Sequence, residues 1–382
     1  MSKWVRSIGN AIVGLVACTS LIGCAYLQHP RFGALPGGTR LQAVERSPQY
    51  VDGEFRNVIA TPMRTQDSSF ASNLMLMLFD RNPNLRPAAA LPLTQVDFTA
   101  LLPDEDVVVW LGHSSYYVQL NGMRILIDPV FSTNASPLPL TNLAFPGTSP
   151  YTADDMPPID LLLITHDHWD HLDYDSVKAL LPKVGQVVVG LGVGEFFDQW
   201  GYPADRIHEA DWNEVLEPVA GLRVHVLPAR HYSGRMLTRN KTLWVAFALE
   251  STQRRLFFSG DSGYGPHFRE IGERFGGFDL VALDMGQYDQ RWAYIHMTPE
   301  DTARAADDLR TRTLLPAHVG RFSIARHAWD EPFERIATAS EGRSYRLSTP
   351  RIGEPIDLKD KGQQFSRWWI PSDLTEVVSA NH

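Results

Sequence analysis

Short apolar runs alternate with turn-forming residues along the central part of the chain. Runs of this length, rich in Val, Ile, Leu and Phe, predict buried strands, and the longer amphipathic segments between them predict helices. The predicted strands are 107–111, 116–120, 124–127, 161–164, 187–189, 223–227, 243–249 and 256–258, and the predicted helices are 174–181, 265–275 and 299–309. This interleaving favours an α/β protein in which outer helices cover two sheets.

The length of the chain permits two domains, but the pattern predicts one. With 382 residues and 44% apolar content, the chain can bury a large core. We expect a signal segment over 1–23, a tether and wrapping segment over 24–102, a main domain over 103–340 and a peripheral segment over 341–382. A helix is also predicted over 70–79, within the wrapping segment.

The N-terminus is typical of an exported bacterial lipoprotein. Lys3 and Arg6 precede an apolar stretch over 11–23 that is too short to span a bilayer. The sequence Leu21-Ile22-Gly23-Cys24 resembles a lipobox, which predicts cleavage before Cys24 and lipid modification of that cysteine. An ordinary secretory peptide or an uncleaved anchor is the alternative. Ala25 favours sorting to the outer membrane, so we expect a lipid-anchored envelope protein that faces the periplasm.

Charge and cysteine usage exclude several classes of function. The formal charge is −9, from 35 basic and 44 acidic residues, and no long basic run is present, which disfavours nucleic-acid binding. The only cysteines are Cys18 and Cys24. The main domain therefore has neither a thiolate metal ligand nor a cysteine nucleophile.

A run of metal-binding residue types follows the predicted strand over 161–164. It reads His166-Asp167-His168-Trp169-Asp170-His171. Imidazole nitrogen and carboxylate oxygen are ligands that zinc accepts. The alternative, a polar loop that contains three histidines at this spacing by chance, is the weaker interpretation. The run therefore predicts a metal site where a buried strand ends.

Three more candidate ligands also follow predicted strands. They are His231, Asp261 and His318, the last after a strand predicted over 313–315. Taken alone, each of them is equally well explained as an ordinary loop residue. Their assignment as metal ligands therefore depends on the presence of the run from His166 to His171. Asp261 lies between Gly260 and Gly263, which let the backbone turn sharply and bring a carboxylate close to a cation.

These motifs resemble the metallo-β-lactamase superfamily, and within it the branch of N-acylphosphatidylethanolamine-hydrolysing phospholipase D. The resemblance runs from about residue 47 to 332, and it includes the segments 110–115, 128–132, 228–231, 260–264 and 316–318. It implies a single-domain α/β/β/α sandwich and two zinc ions. A first ligand set would comprise His166, His168 and His231, a second ligand set Asp170, His171 and His318, with Asp261 bridging both.

Such a pair of ions suits hydrolysis at neutral pH. Each ion lowers the pKa of bound water from ~15.7 toward ~7, and two ions together hold the attacking and leaving oxygens. Five neutral imidazoles and two carboxylates leave the pair positively charged, which favours an anionic phosphodiester or the oxyanion formed from a lactone. Both substrate classes stay open on this argument, and the same ligands accept iron or manganese.

Three residues are assigned further roles. Asp170 is expected to take part in catalysis as well as in metal binding. His296 matches a position near the substrate phosphate in the phospholipase branch and is expected to donate a proton, although it could instead satisfy backbone groups at a helix start. His113 is expected to orient the ligands by hydrogen bonding.

The favoured function is a binuclear zinc phosphodiesterase that acts on N-acylphosphatidylethanolamine-like phospholipids. The sequence of the segment 284–292 differs from that of the animal phospholipases. This difference bears on the lipid specificity and not on the metal chemistry. A metal-dependent lactonase or carboxyl-ester hydrolase is the first alternative, and an envelope lipoprotein without catalysis is the second. The sequence leaves the oligomeric state open.

Overall fold

The computed structural model describes residues 23–65, 82–235 and 238–370. The helix predicted over 70–79, and all of the signal segment except Gly23, lie outside the described residues. Within the described part of the chain, none of the helices has the length and apolar character needed to cross a bilayer.

The N-terminal segment lies against the sandwich as short elements. Helix α1 (Gly38–Arg46) leads into a hairpin of β1 (Tyr50–Val51) and β2 (Glu54–Phe55). Val44 and Phe55 are fully buried in the main core, so this segment packs against the main domain. Short 3-10 helices lie at Pro30–Phe32, Pro83–Leu85, Ala204–Arg206 and Gln290–Trp292.

The first sheet has seven strands in the order β16-β3-β4-β5-β6-β7-β8. The strands from β16 to β5 pair antiparallel, and those from β5 to β8 pair parallel. Their bounds are β3 (Val107–Trp110), β4 (Tyr116–Leu120), β5 (Met123–Ile127), β6 (Ile159–Ile164), β7 (Val184–Gly190), β8 (Ile207–Ala210) and β16 (Pro355–Asp357).

The second sheet repeats this arrangement in the order β15-β14-β13-β12-β11-β10-β9. Strands β9 to β12 pair antiparallel, and β12 to β15 pair parallel. Their bounds are β9 (Val215–Val219), β10 (Leu222–Leu227), β11 (Ala246–Glu250), β12 (Arg255–Phe258), β13 (Leu280–Asp284), β14 (Thr313–Ala317) and β15 (Arg346–Leu347).

The alternation of side chains along each strand separates the layers. In β6, Leu161 and Leu163 pack in the core between the sheets. Leu162 and Ile164 point the other way and pack in a second cluster, together with residues of the helices Tyr174–Leu180 and Gly194–Gln199. Among the residues that the structure describes, five helices follow α1: α2 (Tyr174–Leu180), α3 (Gly194–Gln199), α4 (His267–Phe275), α5 (Pro299–Asp308) and α6 (Glu331–Ala339). The α/β/β/α sandwich is therefore confirmed.

Most predicted elements form, and their ends shift by a few residues. The three predicted helices correspond to α2, α4 and α5, whereas the strand predicted over 243–249 begins only at Ala246. The segment after residue 340, expected to be peripheral, extends the sandwich, because β15 and β16 are edge strands of the two sheets. Trp368 and Trp369 are each 2% exposed and belong to the main core.

Candidate metal centre

The seven predicted ligands meet at one edge of the sandwich. The run from His166 to His171 follows β6, His231 follows β10, Asp261 follows β12 and His318 follows β14. All of these side chains are buried except that of His168, which is partly buried. Residues that lie up to 152 positions apart in sequence, from 166 to 318, are thus brought into one cluster.

The first ligand set presents three converging imidazole nitrogens. His168 Nδ1 lies 2.9 Å from His166 Nε2 and 3.2 Å from His231 Nε2. The remaining nitrogen of His231 is 3.0 Å from the carbonyl oxygen of Ile295, and that of His166 is 3.0 Å from Thr165 Oγ1. These partners fix the orientation of two rings so that Nε2 faces the cluster.

The second ligand set lies beside the first. Asp170 Oδ2 is 3.7 Å from His171 Nε2 and 3.9 Å from His318 Nε2. The rings of His171 and His318 are stacked, with centroids 5.4 Å apart. The three side chains implied by the resemblance therefore lie within reach of one cation.

Asp261 lies between the two sets and turns one carboxylate oxygen toward each. Its Oδ2 is 3.7 Å from His166 Nε2 and 3.6 Å from His231 Nε2. Its Oδ1 is 3.1 Å from His171 Nε2 and 3.0 Å from His318 Nδ1. This is the arrangement that a bridging carboxylate requires.

The pKa shifts of the first ligand set favour metal binding. Burial lowers the pKa of His168 to about 4, and it holds the pKa values of His166 and His231 well below their usual range. The imidazoles are therefore neutral near pH 7, which is the form that binds a metal. Although burial opposes it, His171 and His318 hold the pKa of Asp261 well below its usual range, so this carboxylate stays ionised.

The electrostatics of the second set attract positive charge. Burial opposes protonation of His171, yet Asp261 and Asp170 hold its pKa well above the usual range. Neither His171 Nε2 nor Asp261 Oδ1 makes a hydrogen bond of acceptable geometry among the described residues, and both atoms are buried. Buried polar atoms without partners are costly, and a cation between them removes that cost. The residues present therefore fit a pair of bound metal ions.

His113 lies directly behind the second set. It is fully buried, and its Nε2 is 2.8 Å from Asp170 Oδ2. Its ring is also close enough to join a potential ligand group with Asp170, His171 and His318. Burial lowers the pKa of His113 to about 3, so the ring is neutral.

Asp128 is a supporting residue to which we assigned no role from the sequence. Its Oδ2 is 2.8 Å from His171 Nδ1 and accepts a hydrogen bond of 2.6 Å from Thr165 Oγ1. Its Oδ1 accepts a hydrogen bond of 2.8 Å from the backbone amide of Thr165, where β6 passes into the loop just before His166. Asp128 has φ 44°, and His113 and His318 have φ 55° and 59°. Such left-handed conformations in non-glycine residues concentrate at functional sites.

His296 is brought to the cluster by the loop after β13. Its ring stacks on that of His318 with centroids 5.0 Å apart, and its Nδ1 is 2.9 Å from Asp284 Oδ2. Asp284 is fully buried at the end of β13, and it also accepts from the backbone amides of Ser262 and Gly286. The contact with Asp284 leaves His296 Nε2 available to a substrate.

Two adjoining cavities open over the cluster. One, of about 340 Å³, is lined by Asp170, Asp261 and His296, among others. The other, of about 360 Å³, shares His296 with it and is also lined by Gln287 and Trp292. The segment 284–292, which we expected to bear on specificity, thus borders the space beside the candidate metal centre.

Comparisons with known proteins agree with this geometry. The family profile described as a β-lactamase superfamily domain matches residues 123–319. The chain belongs to the metallo-β-lactamase superfamily. The matched region contains all seven predicted ligands.

Relatives extend this superfamily assignment over most of the chain. An uncharacterized protein of Mycobacterium tuberculosis is 38% identical over 329 residues, covering 85% of this chain and 88% of the relative. The N-acyl-phosphatidylethanolamine-hydrolyzing phospholipase D 1 of Caenorhabditis elegans is 32% identical over 288 residues, covering 71% of this chain and 75% of the relative. A metal-dependent hydrolase of Pyrobaculum neutrophilum is 28% identical over 239 residues, covering 62% of this chain and 94% of the relative. The chain is therefore a metal-dependent hydrolase of the metallo-β-lactamase superfamily.

A solved structure supports the fold alone. CmlA, a diiron β-hydroxylase from Streptomyces venezuelae, superposes with a TM-score of 0.53 at 19% identity. The superposition covers 67% of this chain and 55% of CmlA.

Proposed function

We propose that this metallo-β-lactamase superfamily member is a phosphodiesterase of phospholipase D type that holds two zinc ions and hydrolyses N-acylphosphatidylethanolamine-like phospholipids. The observation that carries the proposal is the position of Asp261, with one carboxylate oxygen toward each ligand set. The relative from Caenorhabditis elegans supports the substrate class. When bound, two such ions supply hydroxide at neutral pH and neutralise charge on the phosphoryl oxygens.

The remaining chemistry falls to side chains that line the cavity. Water adds to phosphorus, and the bond between phosphorus and the ethanolamine oxygen breaks. Asp170 orients the attacking water, whose proton passes to solvent, and His296 Nε2 donates a proton to the departing alkoxide. Asp284 holds His296 in place through Nδ1. The products are N-acylethanolamine and phosphatidic acid.

Arginines beside the candidate metal centre favour an anionic substrate. Arg64 and Arg239 are exposed and line the cavity that contains His296. Among the described residues, neither forms an ion pair with a carboxylate, and Arg239 instead contacts Met63 and the Tyr232 ring. Unpaired guanidinium groups attract phosphodiesters and bind phosphoryl oxygens. Met63, Trp292 and Ile324 line the same space and offer apolar contact to an acyl chain.

The direct test is hydrolysis of a defined lipid by the zinc-loaded chain. Purified protein incubated with N-acylphosphatidylethanolamine should release N-acylethanolamine and phosphatidic acid, measured by mass spectrometry. The Asp261→Asn variant should lose at least about 100-fold in turnover, because it removes the bridging charge. Asp97→Asn, at an exposed turn, removes the same charge elsewhere and should leave turnover unchanged. Hydrolysis of lactones without hydrolysis of phosphodiesters would contradict the proposal.

We further propose that Cys24 carries the lipid anchor and that the chain lies in the bacterial envelope, on the outer membrane and facing the periplasm. Cys24 is exposed, so its side chain is accessible to modification. Dual acylation at one residue is sufficient for stable membrane attachment. An intact-mass measurement on chain extracted from membranes should show an acylated Cys24 at the N-terminus. An unmodified chain that retains residues 1–23 would contradict the anchor.

A further inference from the structure

Exposed leucines are concentrated in one loop beside the cavity over the candidate metal centre. Leu138, Leu140 and Leu143 are 57%, 84% and 39% exposed. They belong to residues 134–143, here named the leucine loop, whose Ser136 and Pro137 line that cavity. Isolated exposed leucines are ordinary, but several in one loop at a site opening mark a contact surface.

Hydrogen bonds within the leucine loop hold these side chains outward. Ser136 Oγ accepts from the backbone amide of Leu138 at 3.2 Å and from Thr141 Oγ1 at 2.6 Å. The backbone amide of Ala135 donates to the carbonyl of Asn142 at 3.1 Å, which closes the loop. Leu140 has φ 64°, an unfavourable conformation for a leucine, and the closed loop maintains it.

The N-terminal segment runs past the same loop. The Tyr26 hydroxyl donates to the carbonyl oxygen of Pro137. The Tyr26 ring contacts Phe32, with centroids 5.5 Å apart, and Phe32 contacts Trp169 of the ligand run at 5.3 Å. Cys24, two residues before Tyr26, is therefore close in sequence to a residue that contacts the leucine loop.

A buried arginine fixes this segment to the ligand run. Arg235 donates to the carbonyl oxygens of Arg31 at 2.8 Å, Asp167 at 2.9 Å and Leu172 at 2.7 Å. Its guanidinium also lies 3.9 Å from the centre of the Trp169 ring. The position of the N-terminal segment relative to the candidate metal centre is thus set by direct contacts.

We infer that the leucine loop inserts into a phospholipid bilayer beside the attachment point at Cys24, so that the cavity opens onto the membrane. This inference rests on the proposed action on phospholipids. A lipid anchor alone lets the chain rotate, whereas a second apolar contact fixes one face toward the bilayer. Leu27, next to Tyr26, is also exposed. A phospholipid then enters the cavity while part of it stays in the membrane.

A fluorescent label at the tip of the loop tests the contact. The full chain carrying Leu140→Cys is extracted from membranes, labelled with an environment-sensitive dye and reconstituted into phosphatidylethanolamine–phosphatidylglycerol vesicles. Emission should shift to the blue, and lipids brominated in their acyl chains should quench it. The chain without the added cysteine corrects for label on Cys18 or Cys24.

Leu102→Cys is the matched control position. Leu102 is 59% exposed and precedes β3, at the end of the first sheet away from His113. A label there should show neither shift nor quenching. Equal quenching at both positions, or none at either, overturns the inference. A blue shift at position 140 that grows with protein concentration in the absence of lipid also overturns it, because the loop would then bind a second copy of the chain.

Activity separates this inference from the proposed function. Leu138→Asp with Leu140→Asp should lower hydrolysis of vesicle phospholipid by about tenfold, a change of about 1.4 kcal/mol, and leave hydrolysis of a dissolved aryl phosphodiester unchanged. Leu102→Asp should change neither rate. Unchanged vesicle hydrolysis by the double variant contradicts the inference while the proposed function stands. Quenching at position 140 without lipid hydrolysis by the wild type contradicts the proposed function alone.

Discussion

At the scale of single residues, the candidate metal centre depends on contacts between carboxylate and imidazole groups. Asp261 faces both ligand sets, while Asp170 contacts His113 on its other side. The ligand types and their positions after strands were predictable from the sequence. The roles of Asp128 and Asp284 were not, because each depends on a partner placed by the fold: Asp128 meets His171 from 43 residues away.

Asp128→Asn should weaken metal binding without removing a ligand. Asp128 uses Oδ1 for the backbone amide of Thr165 and Oδ2 for Thr165 Oγ1 and His171 Nδ1, whereas an amide has only one accepting oxygen. In either orientation the NH₂ group of the asparagine faces a donor, so the contacts that fix the His171 ring are weakened. We expect metal affinity to fall by about 10–100-fold, measured by competition with a chelating dye. Asp97→Asn serves as the control. An unchanged affinity in Asp128→Asn would show that the contact does not position His171.

At the scale of elements, strands deliver ligands to one edge, and glycines let the loops after them approach closely. A Cβ atom at Gly286, just after β13, would lie 1.9 Å from the carbonyl oxygen of His318. Short apolar runs bounded by turn-forming residues predicted most of the strands, although β8, β9 and β13 were not among them. The two- and three-residue strands β15 and β16 were not predicted, because such short segments carry no periodic signal and form only by pairing with β14 and β3.

Gly286→Ala should therefore disturb the second ligand set. The added methyl group forces the loop after β13 away from the His318 backbone, which should lower the free energy of unfolding by about 1–3 kcal/mol. Metal affinity should fall as well. Gly37→Ala is the control, because Gly37 has φ −128° and open space around its Cα. Denaturant unfolding of both variants measures the difference, and equal stability of Gly286→Ala and the wild type would contradict the steric argument.

At the scale of the whole molecule, the sandwich gathers the candidate metal centre, the arginine-lined cavity and the leucine loop on one side. The N-terminal segment reaches that same side through Tyr26 and Arg235. The fold class was predictable from the alternation of strands and helices, and the α/β/β/α sandwich from the resemblance. The position of the N-terminal segment was not, since it depends on contacts between residues more than a hundred positions apart.

The pairing of two metal ions is the central claim, and metal content tests it most directly. The purified chain is stripped of metal, reloaded with zinc, freed of excess ions and analysed by mass spectrometry of the elements. The geometry around Asp261 predicts two zinc ions per chain in the wild type and a clear loss in Asp261→Asn, with the folded state checked by circular dichroism. Fewer than one ion per wild-type chain, or the same content in both proteins, would contradict it.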